Sequence, residues 1–134
     1  MNPKLMTILA TAGLLAAASF QASAHHSFSA EFDSKKEVKL DGKVVKMDWV
    51  NPHAWLFIDV VRNGATEHWA VEFGSPNVLF RNGWKRDSLP EGTRVIVQGF
   101  AAKDGSLRAN SRGVEFPDGR KLDTGSSFTG DKGK

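Results

Sequence analysis

The chain has 134 residues, 40% of them hydrophobic and 10% aromatic, which is enough for one domain with a buried core and argues against extensive disorder. It contains no cysteine, so disulfide frameworks, thiolate metal sites and cysteine nucleophiles are excluded. The 18 Lys and Arg residues exceed the 15 Asp and Glu residues by only +3, which is too little to indicate a nucleic-acid-binding protein by itself.

The first segment, residues 1–24, has the features of a secretory signal peptide. Lys4 precedes an apolar and small-residue run over residues 5–20, and the segment ends in the Ala-x-Ala sequence Ala22–Ala24. A membrane-spanning helix needs about 20 apolar residues, so this run is short for one. We therefore expect cleavage after Ala24, a periplasmic or secreted product, and no transmembrane helix in the mature protein.

Residues 25–35 show no sustained apolar period and predict an extended lead-in, with Phe28 and Phe32 as anchors. From there onward apolar residues recur at every second position, which predicts a long first strand. The phase of this alternation shifts at Val45, as a β-bulge would produce, and Gly42 offers the strand a place to bend.

Two turns organise the next part of the chain. Asn51-Pro52-His53 predicts a hairpin turn into a second strand, the apolar run over residues 54–61. A second turn over residues 62–65 precedes a third strand over residues 67–73, in which apolar and polar residues alternate.

A short helix is predicted after the third strand. Ser75 is a favoured N-cap residue, Pro76 is favoured at the first helical position, and Gly83 ends the helix. Two further strands are predicted over residues 94–100 and 107–116, joined by a hairpin.

Three strands, a helix and two more strands, with a bent first strand, are the element order of a small OB-type barrel. We therefore predict an all-β fold over residues 36–122: a small five-stranded OB-like antiparallel barrel with one short helix between strands 3 and 4. An open antiparallel sandwich is the alternative. The Gly-, Ser- and Lys-rich residues 123–134 predict a disordered tail.

Several spaced motifs carry a resemblance to a known family. They are Ala24-His25-His26-Ser27-Phe28, Asn51-Pro52-His53-Ala54-Trp55, Ser75-Pro76-Asn77, Gly83-Trp84-Lys85-Arg86-Asp87-Ser88-Leu89 and Ala102-Lys103-Asp104-Gly105-Ser106. With these motifs the chain resembles a family of small exported bacterial proteins classed as domain of unknown function 6152. The resemblance spans essentially the whole mature domain and implies an exported single-domain protein. It implies no activity, substrate or catalytic residue.

His25 would become the amino terminus after cleavage at Ala24. Its α-amino group and imidazole can chelate one metal ion, and a second imidazole would complete the three-nitrogen arrangement called a histidine brace, which suits Cu(II). The α-amino group has an ordinary pKa of about 7.7–8.0, so a metal displaces its proton readily. Cleavage one residue later would give His26 the same role. The alternative is that both histidines are polar residues beside a cleavage site.

His53 is the preferred third ligand, because it lies in the first inter-strand loop, where OB-type domains usually receive ligands. If strands 2 and 3 pair around a turn near Gly64, His68 lies opposite Val60 and roughly 23 Å from His53 along the strands. One ion cannot bind both histidines. We interpret His68 as a cross-strand surface residue.

Other candidate ligand-binding residues surround the same turn or share a strand. Trp49 and Trp55 flank the turn and either line a ligand site or pack at the barrel end. Glu72 is level with the turn and could act as a base or as the partner of a metal ligand. Arg108 and Arg112 fall on one strand face and would suit an anionic ligand, such as a glycan or a phospholipid head group; the alternative is an ordinary solvated surface.

The sequence favours a binding protein over an enzyme, since it contains no nucleophile elbow, zinc-protease helix motif or phosphate loop. We expect an exported periplasmic binding protein that holds copper through His25 and His53. The alternative is an OB-like module of the cell envelope that binds a small ligand or an envelope protein without a metal. Export and the nearly balanced charge of the mature chain argue against nucleic acid as the partner.

Overall fold

The computed structural model describes residues 28–128. After a helical turn over residues 28–31, the elements are β1 (Phe32–Asp48), β2 (Trp55–Arg62), β3 (Ala65–Glu72), α1 (Pro76–Arg81), β4 (Arg94–Ala102), β5 (Arg108–Glu115) and β6 (Lys121–Asp123). The strands form one sheet in the order β3-β2-β1-β4-β5-β6, and neighbours in this order are antiparallel. The predicted all-β class is confirmed as a mostly antiparallel sheet. Within the described range, no helix is long and apolar enough to cross a membrane.

The length of β1 reflects its pairing with two strands, β4 along its first part and β2 along its last part. Its register with β2 shifts between Val44 and Lys46, so the bulge predicted at Val45 is present. Gly42 lies where β2 comes closest, because a Cβ atom there would be 2.7 Å from the carbonyl oxygen of Asp59. Bulge and glycine together allow one strand to bend and serve two neighbours.

A parallel pairing between β3 and β5 adds a second connection within the sheet. It joins Ala70 to Arg108, Val71 to Ala109 and Glu72 to Asn110. As a result, each of β1 to β5 has a hydrogen-bonded strand on both edges over part of its length.

The sheet has six strands, one more than the sequence predicts. The sixth strand, β6, pairs with the end of β5. Its three residues include a single apolar side chain, Leu122, so the strand is too short to show the alternation of apolar and polar residues that would predict it. The prediction of five strands is therefore corrected to six.

The helix α1 begins and ends as predicted. Ser75 is the N-cap, its side chain accepts a hydrogen bond from the backbone amide of Val78, and Pro76 occupies the first turn. Gly83 follows the helix with φ +92°, a left-handed conformation that glycine adopts without strain. Leu79 is fully buried and attaches the helix to the main core.

The main core consists of alternate apolar residues of β1 to β5, with Leu79 of α1 and the loop residues Trp84 and Leu89. Trp69 and Trp84 are both buried. The indole nitrogen of Trp84 donates a hydrogen bond to the carbonyl oxygen of Asp123, 2.8 Å away. Every buried side-chain nitrogen or oxygen atom among the described residues has a partner.

A second set of apolar residues, here called the terminal cluster, packs apart from the main core. Ala109 of β5 belongs to the main core, so its neighbour Asn110 and the paired Phe100 face the opposite side of the sheet. On that side lie the residues of the terminal cluster, which are Phe28, Phe32, Phe100, Ala102 and the partly buried Phe128. The predicted anchor residues Phe28 and Phe32 are therefore buried as expected.

Both ends of the described chain differ from the sequence-based boundaries. The described part of the expected extended lead-in is helical over residues 28–31, and β1 begins at Phe32, several residues earlier than predicted. At the other end, Thr124 is fully buried and the ring of Phe128 lies 4.5 Å from that of Phe100, so residues 124–128 are packed. The signal peptide, His25, His26 and residues 129–134 lie outside the described range.

Candidate functional site

His53 lies in the loop between β1 and β2, and its ring has two close acceptors on one side. Its Nδ1 atom is 3.2 Å from the carbonyl oxygen of Phe73 and 3.9 Å from Oε1 of Glu72, and the side chain is 32% exposed. A carbonyl and an ionised carboxylate both accept hydrogen bonds, so this environment favours the neutral tautomer that has its hydrogen on Nδ1 and its lone pair on Nε2. Nε2 is therefore the atom that can bind a metal ion or a proton.

Backbone pairing beyond β2 and β3 places His53 beside Phe73. The amide of Ala54 donates to the carbonyl of Gly74 at 3.0 Å, and the amide of Phe73 donates to the carbonyl of Ala54 at 2.9 Å. These two hydrogen bonds extend the ladder past the strand ends. The ring of His53 is thus carried by rigid, hydrogen-bonded backbone although it belongs to a loop.

The register of β2 and β3 differs by one residue from the sequence-based estimate. His68 pairs with Asp59 and not with Val60, because the turn has two central residues, Asn63 and Gly64, both with positive φ. The side chain of His68 is 80% exposed and its Nδ1 atom lies 2.6 Å from Oδ1 of Asp59. His68 is thus a cross-strand surface residue, as predicted, and does not contact the His53 site.

Glu72 is the buried carboxylate of this region, only 6% exposed. Its Oε1 atom accepts a hydrogen bond from Nδ2 of Asn110 at 3.0 Å, a contact that follows from the parallel pairing of the two residues. Burial raises the pKa of Glu72 above its ordinary value, and His53 and the Asn110 hydrogen bond oppose this increase. The sequence places Glu72 near His53 correctly.

Asn110 is fully buried and connects Glu72 to the end of the described chain. Its Nδ2 atom lies 3.2 Å from Oγ of Ser127, and the hydroxyl of Ser126 donates to its Oδ1 atom at 2.5 Å. Because Ser126 occupies the carbonyl side of the amide, the amino side faces Glu72. The sequence does not reveal this role for Asn110, because the pairing of β3 with β5 joins residues far apart in the chain.

Trp55 and Arg108 form a second group of side chains beside Glu72. Trp55 pairs with Glu72 across β2 and β3, and the guanidinium of Arg108 lies 5.5 Å from the Trp55 ring centre. The same guanidinium lies 5.8 Å from the ring of Phe32 and 2.7 Å from Oε2 of Glu31. Arg108 thereby connects the amino-terminal residues of the described chain to the strand residue that follows the His53 loop.

Trp49 does not form a common aromatic wall with Trp55. Its ring stacks on Phe80 of α1, with centroids 5.1 Å apart and planes inclined by 9°. The guanidinium of Arg86 lies 5.9 Å from the Trp49 ring and 5.8 Å from Phe80. The two predicted tryptophans therefore have different partners, and of the two it is Trp55 that lies beside Glu72.

Arg112 is separated from Arg108 by a bulge in β5. Ser111 and Gly113 have partners in β4, whereas Arg112 between them has none in the ladder. Its guanidinium lies 3.8 Å from Glu37 and 5.5 Å from the ring of Phe100. Arg108 and Arg112 therefore do not face a common site for an anionic ligand. Arg108 packs on Trp55, whereas Arg112 borders a shallow groove between β1 and β4.

Comparison with known families adds one finding. The model of a family described as "Family of unknown function (DUF6152)" matches residues 12–111. The chain belongs to this family. The resemblance noted in the sequence is thereby confirmed for DUF6152, and the match includes His53, Glu72, Arg108 and Asn110. No curated protein matches the chain.

The described part of this DUF6152 chain holds two histidines whose Nδ1 atoms lie near a carboxylate, His53 beside the buried Glu72 and His68 beside the exposed Asp59, but no complete metal centre. Among residues 28–128, no group of three or more His, Asp or Glu side chains could hold a metal ion. His53 contributes a single nitrogen ligand, so a metal bound there needs further ligands from another source. His25 and His26, the other predicted ligands, lie outside the described residues.

Proposed function

We propose that this chain is an exported periplasmic binding protein that holds a Cu(II) ion between its mature amino terminus and His53. Cleavage after Ala24 would free the α-amino group of His25, which chelates the ion together with its own imidazole. Nε2 of His53 supplies the third nitrogen. Nitrogen ligands of this type favour Cu(II) over the other divalent first-row metals.

The observation that carries the proposal is the environment of the His53 ring. Histidines that bind metals usually donate the hydrogen of their second ring nitrogen to a carbonyl or carboxylate. At His53, Nδ1 has the carbonyl of Phe73 at 3.2 Å and the carboxylate of Glu72 at 3.9 Å. This environment favours a lone pair on Nε2, as in a histidine that binds a metal through that atom.

The position of the first described residues supports the reach of His25 to His53. Glu31 is joined to Arg108, which stacks on Trp55, the residue paired with Glu72. His25 precedes Phe28 by three residues, which span about 10 Å when extended. The terminal cluster thus anchors the chain on the side of the sheet that carries Glu72.

We also propose that β1 to β5 close into an OB-like barrel, with β6 as an addition to β5. The parallel pairing of β3 with β5 and the two-sided pairing of β1 support this closure. OB-type domains often bind ligands with their inter-strand loops, and His53 lies in the first of these loops.

The test is copper titration of protein processed from its own signal sequence, after its intact mass shows which residue is first. We expect a start at His25 and one tightly bound Cu(II) ion per chain. Changing His53→Ala removes a ligand nitrogen and should weaken binding by more than the roughly 10- to 100-fold that is typical when only the hydrogen-bond partner of a ligand is lost. His68→Ala, an exposed histidine beside Asp59, is the matched control and should bind like the wild type. Equal affinity of the His53→Ala variant and the wild type would refute the proposal.

A second candidate function is binding of a small anionic ligand or an envelope protein without a metal. The contact of Arg108 with the Trp55 ring, beside Glu72, favours it, because aromatic and cationic side chains recur in polar-ligand sites. With inorganic phosphate as the probe, this function predicts a change in tryptophan fluorescence that Trp55→Phe abolishes. His53→Ala would leave that change intact, which separates the two functions.

A further inference from the structure

Glu72 and Asn110 form a buried polar pair that the packing of the sheet does not require. Glu72 is 6% exposed and Asn110 is fully buried. Burial of a carboxylate costs free energy unless it has partners, and apolar residues of similar size often replace such pairs without loss of stability. The arrangement of this pair around His53 indicates what it does.

One carboxylate oxygen of Glu72 faces both residues. Its Oε1 atom lies 3.0 Å from Nδ2 of Asn110 and 3.9 Å from Nδ1 of His53. Turning the amide of Asn110 around would bring its Oδ1 atom against Oε1 of Glu72, and an ionised carboxylate only accepts hydrogen bonds, so the amino group stays directed at Glu72. Oε1 is thereby held at the Nδ1 side of the imidazole ring.

We propose that Glu72 is a positioning residue that fixes the tautomer and orientation of His53, with Asn110 holding the carboxylate in place. The negative charge beside Nδ1 favours the hydrogen on that nitrogen and leaves the lone pair on Nε2. It also increases the basicity of Nε2 as a ligand. The consequence for metal binding rests on the copper site proposed above, whereas the effect on the imidazole ring does not depend on a metal.

The carbonyl of Phe73 alone does not account for this arrangement. It lies 3.2 Å from Nδ1, at the long end of the range for hydrogen bonds, and it carries no net charge. Glu72 adds a charge at a second position near the same nitrogen. Glu72→Gln keeps the size of the side chain and its carbonyl bond to Asn110 but removes the charge, so it isolates the proposed effect.

The first measurement is the pair of imidazole nitrogen chemical shifts of His53 in metal-free protein, at a pH of about 8.5, where histidine is neutral. We expect one dominant tautomer in the wild type, with the hydrogen on Nδ1, and a mixture of tautomers in Glu72→Gln. Glu72→Asp should restore the wild-type signal in part. The same His53 tautomer ratio in Glu72→Gln and in the wild type would overturn the proposal, whether or not copper binds.

The second measurement is copper affinity of the same variants after signal processing. Loss of the partner of a metal-binding histidine typically weakens affinity about 10- to 100-fold, and we expect Glu72→Gln to fall in this range, with an altered Cu(II) electron paramagnetic resonance spectrum. Glu67→Gln is the matched control on the same strand, because Glu67 accepts from the Trp69 indole and is remote from His53 in the register. The two proposals can fail separately. If Glu72→Gln changes the tautomer ratio of His53 but the wild type binds no copper, the positioning role of Glu72 is supported and the copper site is refuted.

Discussion

The main core and the terminal cluster are two apolar regions of one sheet, and they are built in different ways. The main core draws alternate residues from β1 to β5, strands that have hydrogen-bonded neighbours on both edges. The terminal cluster adds Phe28 and Phe128, which come from outside the strands, to residues of β1 and β4. One region is therefore held by the sheet itself, and the other depends on the two ends of the described chain.

The candidate site lies where these two regions meet. His53 is carried by backbone hydrogen bonds that extend the β2–β3 ladder, whereas Asn110 is held by Ser126 and Ser127 near the end of the described chain. The sheet positions the His53 ring, and Ser126 and Ser127 hold the Asn110 amide. Changes in the terminal cluster should therefore affect the site at a smaller cost to global stability than changes in the main core.

The largest expected effect comes from the main core. Ile58→Ala removes a side chain that is 1% exposed, and we expect it to lower the free energy of unfolding by about 3 kcal/mol, since buried methyl and methylene groups are replaced by a cavity. Chemical denaturation measures this change. Val61→Ala on the same strand is the control, because Val61 is 70% exposed and its truncation should cost under about 0.5 kcal/mol.

A smaller and more local effect is expected from the terminal cluster. Phe128 is partly buried, with its ring 4.5 Å from Phe100 and 5.0 Å from Phe28, so Phe128→Ala should cost about 1–2 kcal/mol of stability. Hydrogen exchange should become faster over residues 28–31 while the amides of β2 and β3 keep their protection. Equally faster hydrogen exchange in all strands would show that the terminal cluster and the main core unfold as one unit. It would contradict the view that the two regions are built separately.

The smallest effect is expected at an exposed ion pair that belongs to neither region. The guanidinium of Arg94 makes two hydrogen bonds to Asp41, and this contact lowers the pKa of Asp41 below its ordinary value. A carboxylate with a lowered pKa in the folded state stabilises the protein at neutral pH and loses this contribution as the pH falls through its titration range. The pair is largely solvated, so Asp41→Asn should cost under about 1 kcal/mol at neutral pH. The difference in the free energy of unfolding between Asp41→Asn and the wild type should disappear in acid, as chemical denaturation at several pH values would show. If the difference persists below about pH 2, it comes from packing and not from the ion pair.

The sequence by itself determined the features that depend on neighbours along the chain. The alternation of apolar residues, with its change of phase at Val45, predicts the bulged first strand, and Ser75-Pro76 predicts the helix start. The same alternation predicts the burial of Trp69. These features follow from local sequence because strand and helix periods recur within a few residues.

Only the tertiary structure decided which distant residues meet. The parallel pairing of β3 with β5 brings Asn110 to Glu72, and residues 124–128 pack although the Gly-, Ser- and Lys-rich composition of residues 123–134 predicts disorder. The register of β2 and β3 depends on a turn whose centre the sequence locates only to within one residue. These contacts join residues far apart in the chain, and no local period encodes them, because they form only when the strands close against one another. The sequence nominates His53 from its place in a loop and places Glu72 level with it, but the contacts with the Phe73 carbonyl and with Asn110 are seen only in the tertiary structure.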